Sequence, residues 1–322
     1  MVSSKDLTFV VQGYYDLNIT NVVVESIREF FPDSEIIIST WNGIFVNDVS
    51  VDKVIHNNDP GSHFCDFGKT YLNLNRQLVS SRNGILNASR DFIIKIRSDL
   101  KFTSSSIINL INRSLYEFNN YNLEFKILES RVLVADVTSV NPRLSKEMPY
   151  HICDWFYFGK REDIISLFAL PNFNENEIAN WFKNGNYPKN NHRITFTRFA
   201  PEQLLSFSYI LTKFDFKFDH SYDISNGNIL NSEMLIVNNF IIFSLHDLGL
   251  FSLKHKEFPR YVRSQMYSFK DWKFLYNKLV LKKPFSFNVS FISLIDSIII
   301  KCRIIFFRFR CFIKKELCET RT

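Results

Sequence analysis

An apolar run, Phe92 to Ile96, ends in Arg97-Ser98-Asp99. A guanidinium at a strand end can take two phosphate oxygens at once. A carboxylate in the same turn is a hard oxygen ligand of the kind Mg²⁺ or Mn²⁺ prefers. Arg76, on the helical segment before this strand, adds a second phosphate contact. Gln12 and Trp41 each close an apolar, strand-like run, and Trp41 offers a ring for a nucleobase or a sugar. Taken alone, an Arg-x-Asp triplet is more often a salt-bridged turn than a ligand site. Its neighbours at other strand ends reverse that balance. The chemistry these residues suit is recognition of a diphosphate and stabilisation of the negative charge it gains as a leaving group.

Two further carboxylates are candidates for deprotonating an acceptor hydroxyl. Asp154 lies beside Trp155, Phe156 and Tyr157, rings on which a sugar can pack. Glu202 sits in the first turn of a helix that starts at Pro201. Each has a plainer alternative, an N-cap or Asx turn for Asp154 and helix-terminus electrostatics for Glu202. His151 is placed to orient Asp154, although a lone histidine is more often structural.

Positioning these residues requires a sheet. Leu7 to Val11, Glu35 to Ser39, Lys53 to His56 and Asp91 to Ile96 read as strands, and Asn18 to Phe31 and Tyr71 to Ala88 as helices. The strands are continuously apolar rather than alternating, which predicts a parallel sheet covered on both faces. Ligands of such sheets lie outside the carboxyl ends of the strands. Gln12-Gly13, Thr40-Trp41, Asp59 and Arg97 to Asp99 all fall there. Further on, the pattern predicts a helix over Ser104 to Phe118, a strand over Phe125 to Asp136, and helices over Arg161 to Phe168 and Pro201 to Leu211. Asn172 to Arg193 reads as polar loop, and Ser232 to Phe243 has no clear assignment.

The chain has 322 residues, 46% of them apolar, enough for one large α/β domain or a domain with an accessory piece. Its net charge of +6 is mostly local, because Lys301 to Thr322 carries seven Lys or Arg against two Glu. A near-neutral body argues against a nucleic-acid-binding surface, and the basic tail points to an acidic partner such as an anionic membrane surface. Phe285 to Ile313 is apolar with interspersed cations, and its longest uncharged run, Phe285 to Ile295, is too short to span a bilayer of ~20 residues. A segment lying in the membrane interface suits Arg303 to Lys315, whereas Phe285 to Ile300 fits that reading and an ordinary core helix with snorkelling cations equally. The five cysteines are scattered without a Cys-x-x-Cys spacing, which fits free thiols in a reducing compartment and gives no zinc signature. The polar stretch Met1 to Asp6 has no signal-peptide character. The expectation is a cytoplasmic protein, peripheral on the inner face of the cell membrane.

The segment Arg82-Asn83-Gly84, Ala88, Phe92-Ile93-Ile94 and Asp99 resembles the region of GT-A glycosyltransferases in which a helix leads into a strand with an acidic metal-binding end. More closely, the chain is similar to the WavE family linked to lipopolysaccharide synthesis. The resemblance rests on Val10 to Gly13, the Phe31 to Trp41 pattern, Asp59-Pro60-Gly61, Asn75-Arg76-Gln77, Lys95-x-Arg97-Ser98-Asp99, the Asp154 to Gly159 segment and Pro201-Glu202-Gln203. It covers roughly residues 7 to 210, and its strength is the collinear order. It implies an α/β fold with a GT-A-like, Rossmann-type sheet and flanking helices; that domain is expected over 1–250, and the charge and apolar pattern predict a helical, basic C-terminal extension over 251–322. It also implies a nucleotide-sugar donor, bound by Gln12, Trp41, Arg76, Arg97 and Asp99, and a glycan or glycolipid acceptor served by Asp154 or Glu202. Where the family pattern has Asp-x-Asp, Arg97 takes the first position, so a divalent metal on Asp99 would have a single carboxylate. The alternatives are a nucleotidyltransferase, whose Gly-rich, Lys-containing loop is missing after the first strand, and a non-catalytic glycan-binding scaffold. No dinucleotide fingerprint, P-loop or nucleophile elbow occurs.

Overall fold

Leu7–Gln12 (β1) is buried along its whole length, because both faces of the strand are covered. Phe9 turns to one face, where its ring meets Phe31 and Phe102 at centroid separations of 5.0 and 5.4 Å. Val10 turns to the other, against the helix Leu74–Leu86 (α2). The computed structural model describes residues 1–47, 49–65, 70–144, 146–181, 197–255, 263 and 265–283.

Beside β1, in parallel, lie Glu35–Trp41 (β2) and Phe92–Arg97 (β6), and Lys53–Asn57 (β3) pairs with the outer edge of β2. His63–Cys65 (β4) and Thr70–Leu72 (β5) form a small hairpin apart from the main sheet. Leu100–Phe102 (β7) follows β6 directly. Val132–Ala135 (β8), Phe156–Lys160 (β9) and Phe240–Phe243 (β10) complete a seven-stranded sheet in the order β10-β8-β9-β6-β1-β2-β3. Leu250–Ser252 (β11) pairs antiparallel with β7 and so straps the C-terminal half to the turn after β6.

One strand departs from the all-parallel expectation. β9 runs antiparallel to both β6 and β8. Phe156 and Phe158 are buried like the residues of its parallel neighbours, so composition does not reveal its direction. The expected strand over Phe125 to Asp136 is shorter, with a 3₁₀ turn at Leu123–Phe125 before β8. Thr70 to Leu72, expected at the head of a helix, forms β5 instead, and Asn228–Asn239 is helical up to β10. A short helix, Glu175–Asn180, interrupts the stretch expected to be loop.

Helices flank the sheet. Leu17–Phe30 (α1) starts with Asp16 capping the Asn18 and Ile19 amides. Ser106–Glu117 (α3) follows β7, Arg161–Phe168 (α4) packs against α2, and Pro201–Leu211 (α6), after the short helix Glu175–Asn180 (α5), packs against α4. Past residue 250 the described chain stays in the same core. Trp272, on the helix Phe269–Leu275, is fully buried, and its indole N–H donates to the Phe240 carbonyl at 2.7 Å. The basic amphipathic tail lies outside the described residues, so the expectations placed on it have no structural counterpart here.

Candidate functional site

The parallel strands β1, β2, β3 and β6 end on one side of the sheet, and a cleft of about 680 Å³ opens there. Gln12, Trp41, Arg76, Arg97 and Asp99, named from four separate stretches of sequence, all line it. The backbone explains the convergence. Gly13 takes a left-handed conformation at φ +119° and lets the chain turn out of β1. The Ser98 amide donates to the Gln12 carbonyl at 3.1 Å, and the Ser98 hydroxyl to the Tyr14 carbonyl at 2.8 Å. The turns after β1 and β6 are thereby locked side by side.

Two arginine–aspartate pairs dominate the cleft. Arg97 Nε and Nη2 reach the two oxygens of Asp99 at 3.0 and 2.7 Å, and its guanidinium lies over the Trp155 ring at 4.4 Å. Arg76 Nε and Nη2 hold Asp59 in the same way, at 2.7 and 2.6 Å. The Asp59 carboxyl is held below its ordinary range by that guanidinium. In both arginines Nη1 is left off the carboxylate, and in Arg76 it contacts Asn73 Oδ1 at 3.2 Å. Lys254, just after β11, adds a cation without an ion-pair partner among the described residues. The cleft therefore offers oriented N–H donors and one ammonium outside these ion pairs, an arrangement suited to a polyanion.

Gln12 is buried at the floor, where its side-chain oxygen accepts from the Ser80 hydroxyl at 2.7 Å. Trp41 is only 8% exposed, so it presents an edge of its ring rather than a free face. Tyr14, 59% exposed on the same rim, is the freer ring, and the sequence analysis did not single it out.

The metal expectation meets an obstacle in the geometry. Asp99 is 2% exposed and both its oxygens face Arg97. Asp59, the other acid of the cleft, is committed to Arg76. Among the described residues no group of three His, Cys, Asp or Glu side chains is placed to hold an ion. The residues present do not fit a protein-held divalent metal, and no step is derived through one.

Asp154 and Glu202 do not line the cleft. They sit behind Arg97 in a charged cluster with Lys95 and His151, in which Asp154 is buried and Glu202 partly buried. Burial, and then the Glu202 charge, push the Asp154 carboxyl up to about 6, against the pull of Lys95 and Arg97. Burial likewise raises Glu202 and lowers Lys95 to about 8. His151 Nε2 stands 3.8 Å from Glu202 Oε2, but burial and Lys146 drive the imidazole down to about 3, so it is neutral at physiological pH. The Lys95 ammonium donates to the Asp154 carbonyl at 2.5 Å and lies near the Tyr157 and Phe168 rings.

The remaining motif residues are structural. Arg82 Nη1 donates to the Leu170 carbonyl at 2.5 Å, away from the cleft. Asn83 bonds the Asn57 side chain at 2.7 Å. Gln203 caps its own helix by accepting from the Ala200 amide and ties it to the Pro149 and Ser221 carbonyls. Lys254 was missed because it reaches the cleft through the long-range β7–β11 pairing, which leaves no local signal.

The fold and the cleft define an α/β protein with a mixed, Rossmann-like sheet and a cleft lined by Arg76, Arg97 and Lys254 at the strand ends. The chain belongs to the WavE lipopolysaccharide synthesis family, whose profile matches residues 7–304. No curated protein matches it. Among solved structures it is similar to 4-diphosphocytidyl-2C-methyl-D-erythritol synthase from Anaerococcus prevotii DSM 20548, at 7% identity and a TM-score of 0.32, over 56% of this chain and 83% of that one.

Proposed function

We propose that the protein is a glycosyltransferase on a GT-A-like core that moves a sugar from a nucleotide-sugar donor to a lipopolysaccharide or related surface-glycan acceptor. The observation that carries this is the meeting of Arg76, Arg97 and Lys254 in one cleft at the strand ends, in a chain of the WavE family. In this reading the donor diphosphate lies between these three cations. Arg97 is pre-oriented by Asp99 on one edge and Trp155 on one face, so it needs little reorganisation as the leaving diphosphate gains charge. Gln12 and Ser80 form the floor, and Trp41 with Tyr14 borders the nucleoside or sugar.

Asp99 acts as the clamp of Arg97, and the arginines supply charge compensation that a metal supplies elsewhere. Asp154 and Glu202 act through Arg97 as positioning groups. The basic tail holds the enzyme at an anionic membrane surface on the cytoplasmic side. No helix among the described residues is long and apolar enough to cross a membrane.

The test is equilibrium binding of a panel of nucleoside diphosphates and their sugars. At least one is expected to bind the wild type, and Arg76→Ala and Arg97→Ala are each expected to weaken it about tenfold or more, as loss of charge-assisted hydrogen bonds does. Equal affinity in both variants would remove the cleft from the account.

A further inference from the structure

A second cavity, of about 530 Å³, opens beyond the ends of β8 and β10, further along the same side of the sheet. Its volume is in the range of small-molecule sites, roughly 300–1,000 Å³. Asp136 and Thr138, just after β8, line it, as do Ser244 and His246 after β10 and Phe251 and Ser252 of β11. The cavity and the cleft share a wall. Leu253 donates its amide to the Asp99 carbonyl at 2.9 Å, which fixes the segment after β11. From that segment Lys254 faces the cleft while His255 faces the cavity. His255 also lies against Trp155, at 5.2 Å between ring centroids, and Trp155 is the ring beneath Arg97.

The two spaces differ in chemistry. The cleft gathers three cations, two of them paired to the carboxylates Asp59 and Asp99. The cavity has a carboxylate and several hydroxyls beside the half-exposed Phe251 ring, with Arg263 as the one Lys or Arg in its described lining. Half-burial and the nearby Asp247 charge push the Asp136 carboxyl up to about 6, so it is ionised at neutral pH. A carboxylate accepts from two vicinal hydroxyls at once, and an aromatic ring covers the C–H face of a pyranose. An anionic ligand would meet Asp136 as a like charge.

We propose that this second cavity binds a neutral pyranose unit of the acceptor glycan, with Asp136 accepting from its hydroxyls and Phe251 under its ring. The assignment as acceptor rests on the glycosyltransferase reading of the neighbouring cleft; the binding itself does not. The experiment is saturation-transfer NMR on the full chain with methyl glycopyranosides of glucose, galactose and mannose. Binding of UDP, CDP, GDP and ADP is measured in parallel. At least one glycoside is expected to bind the wild type. Asp136→Asn, which keeps the side chain's shape, and Phe251→Ala, at a position 40% exposed, are each expected to weaken it at least tenfold and leave nucleotide binding unchanged. Arg76→Ala is expected to do the reverse. No glycoside bound by the wild type would overturn the proposal, as would unchanged binding in both cavity variants. Glycoside binding lost in Arg76→Ala and kept in Asp136→Asn would place the sugar in the cleft and also overturn it. If glycosides bind as expected and no nucleotide does, the cavity stands and the donor reading falls.

Discussion

Asp99 illustrates how a residue type can be read correctly for place and differently for role. Its position at the end of β6 follows from the apolar run before it, yet its oxygens are spent on Arg97. If it clamps the arginine, Asp99→Asn weakens nucleotide binding by the same factor in Mg²⁺ and in EDTA. A metal-ligating carboxylate would show its loss only in Mg²⁺. Calorimetric titration of the nucleoside diphosphate under both conditions decides between them.

Asp154 makes a pH prediction. Its folded value of about 6 lies above the ordinary carboxyl value of 3.8. The folded state therefore binds more protons than the unfolded one between those two values. The associated stability is complete below pH ~4 and is lost as pH rises through about 6, at most about 3 kcal/mol for a shift of roughly two units. Glu202, Lys95, Arg97 and His151 face the same site and shape the curve. Urea unfolding from pH 4 to 7 should show a decline that is visibly shallower in Asp154→Asn. An identical slope in the variant would show that Asp154 titrates normally.

Gln12, Trp41, Arg97 and Asp99 were legible in sequence as cleft residues because strand ends in a parallel sheet must converge, whatever the loops do. Arg76 reaches the same cleft from the first turn of α2. The burial of Asp154 was not legible, because whether a carboxyl faces a cleft or the space behind it depends on how β9 and α6 pack, and no local pattern encodes that. Lys254 reaches the cleft only through the β7–β11 pairing.

At the scale of elements, β1, β2 and β6 announced themselves as apolar runs, and α1 by its periodicity and the proline that follows it. The direction of β9 did not, since a strand buried on both faces looks alike either way. The short strands β7 and β11 have three residues each, and only their mutual pairing defines them. The Arg82-Asn83-Gly84 motif turns out to be a packing device. A Cβ on Gly84 would stand 2.5 Å from Val10 Cγ1 and 3.0 Å from Ser39 Cβ, so α2 lies directly on β1 and β2. Gly84→Ala is expected to cost about 1–2 kcal/mol, since overpacking outweighs the gain in helix propensity of roughly 1 kcal/mol. The urea midpoint measures this, and a stabilised variant would mean that the helix can shift away from the sheet.

Across the whole molecule, the described residues after 250 pack onto the sheet domain. β11 crosses to β7, Trp272 sits in the common core, and the family match runs on to residue 304. The strap formed by β11 and the residues after it carries Lys254 to one ligand space and His255 to the other. Truncation after residue 250 should therefore unfold the sheet domain or abolish nucleotide binding, rather than release a working core.

The most direct test of the central claim is to incubate the purified full chain with a panel of nucleotide sugars and identify what is released. Sugar transfer, or slow donor hydrolysis, breaks the bond between the sugar and the diphosphate and frees the nucleoside diphosphate. The account predicts that product from at least one donor, reduced tenfold or more by Arg97→Ala. Folded protein that releases no nucleoside diphosphate from any donor, or that instead forms pyrophosphate from a nucleoside triphosphate and a sugar phosphate, would contradict it.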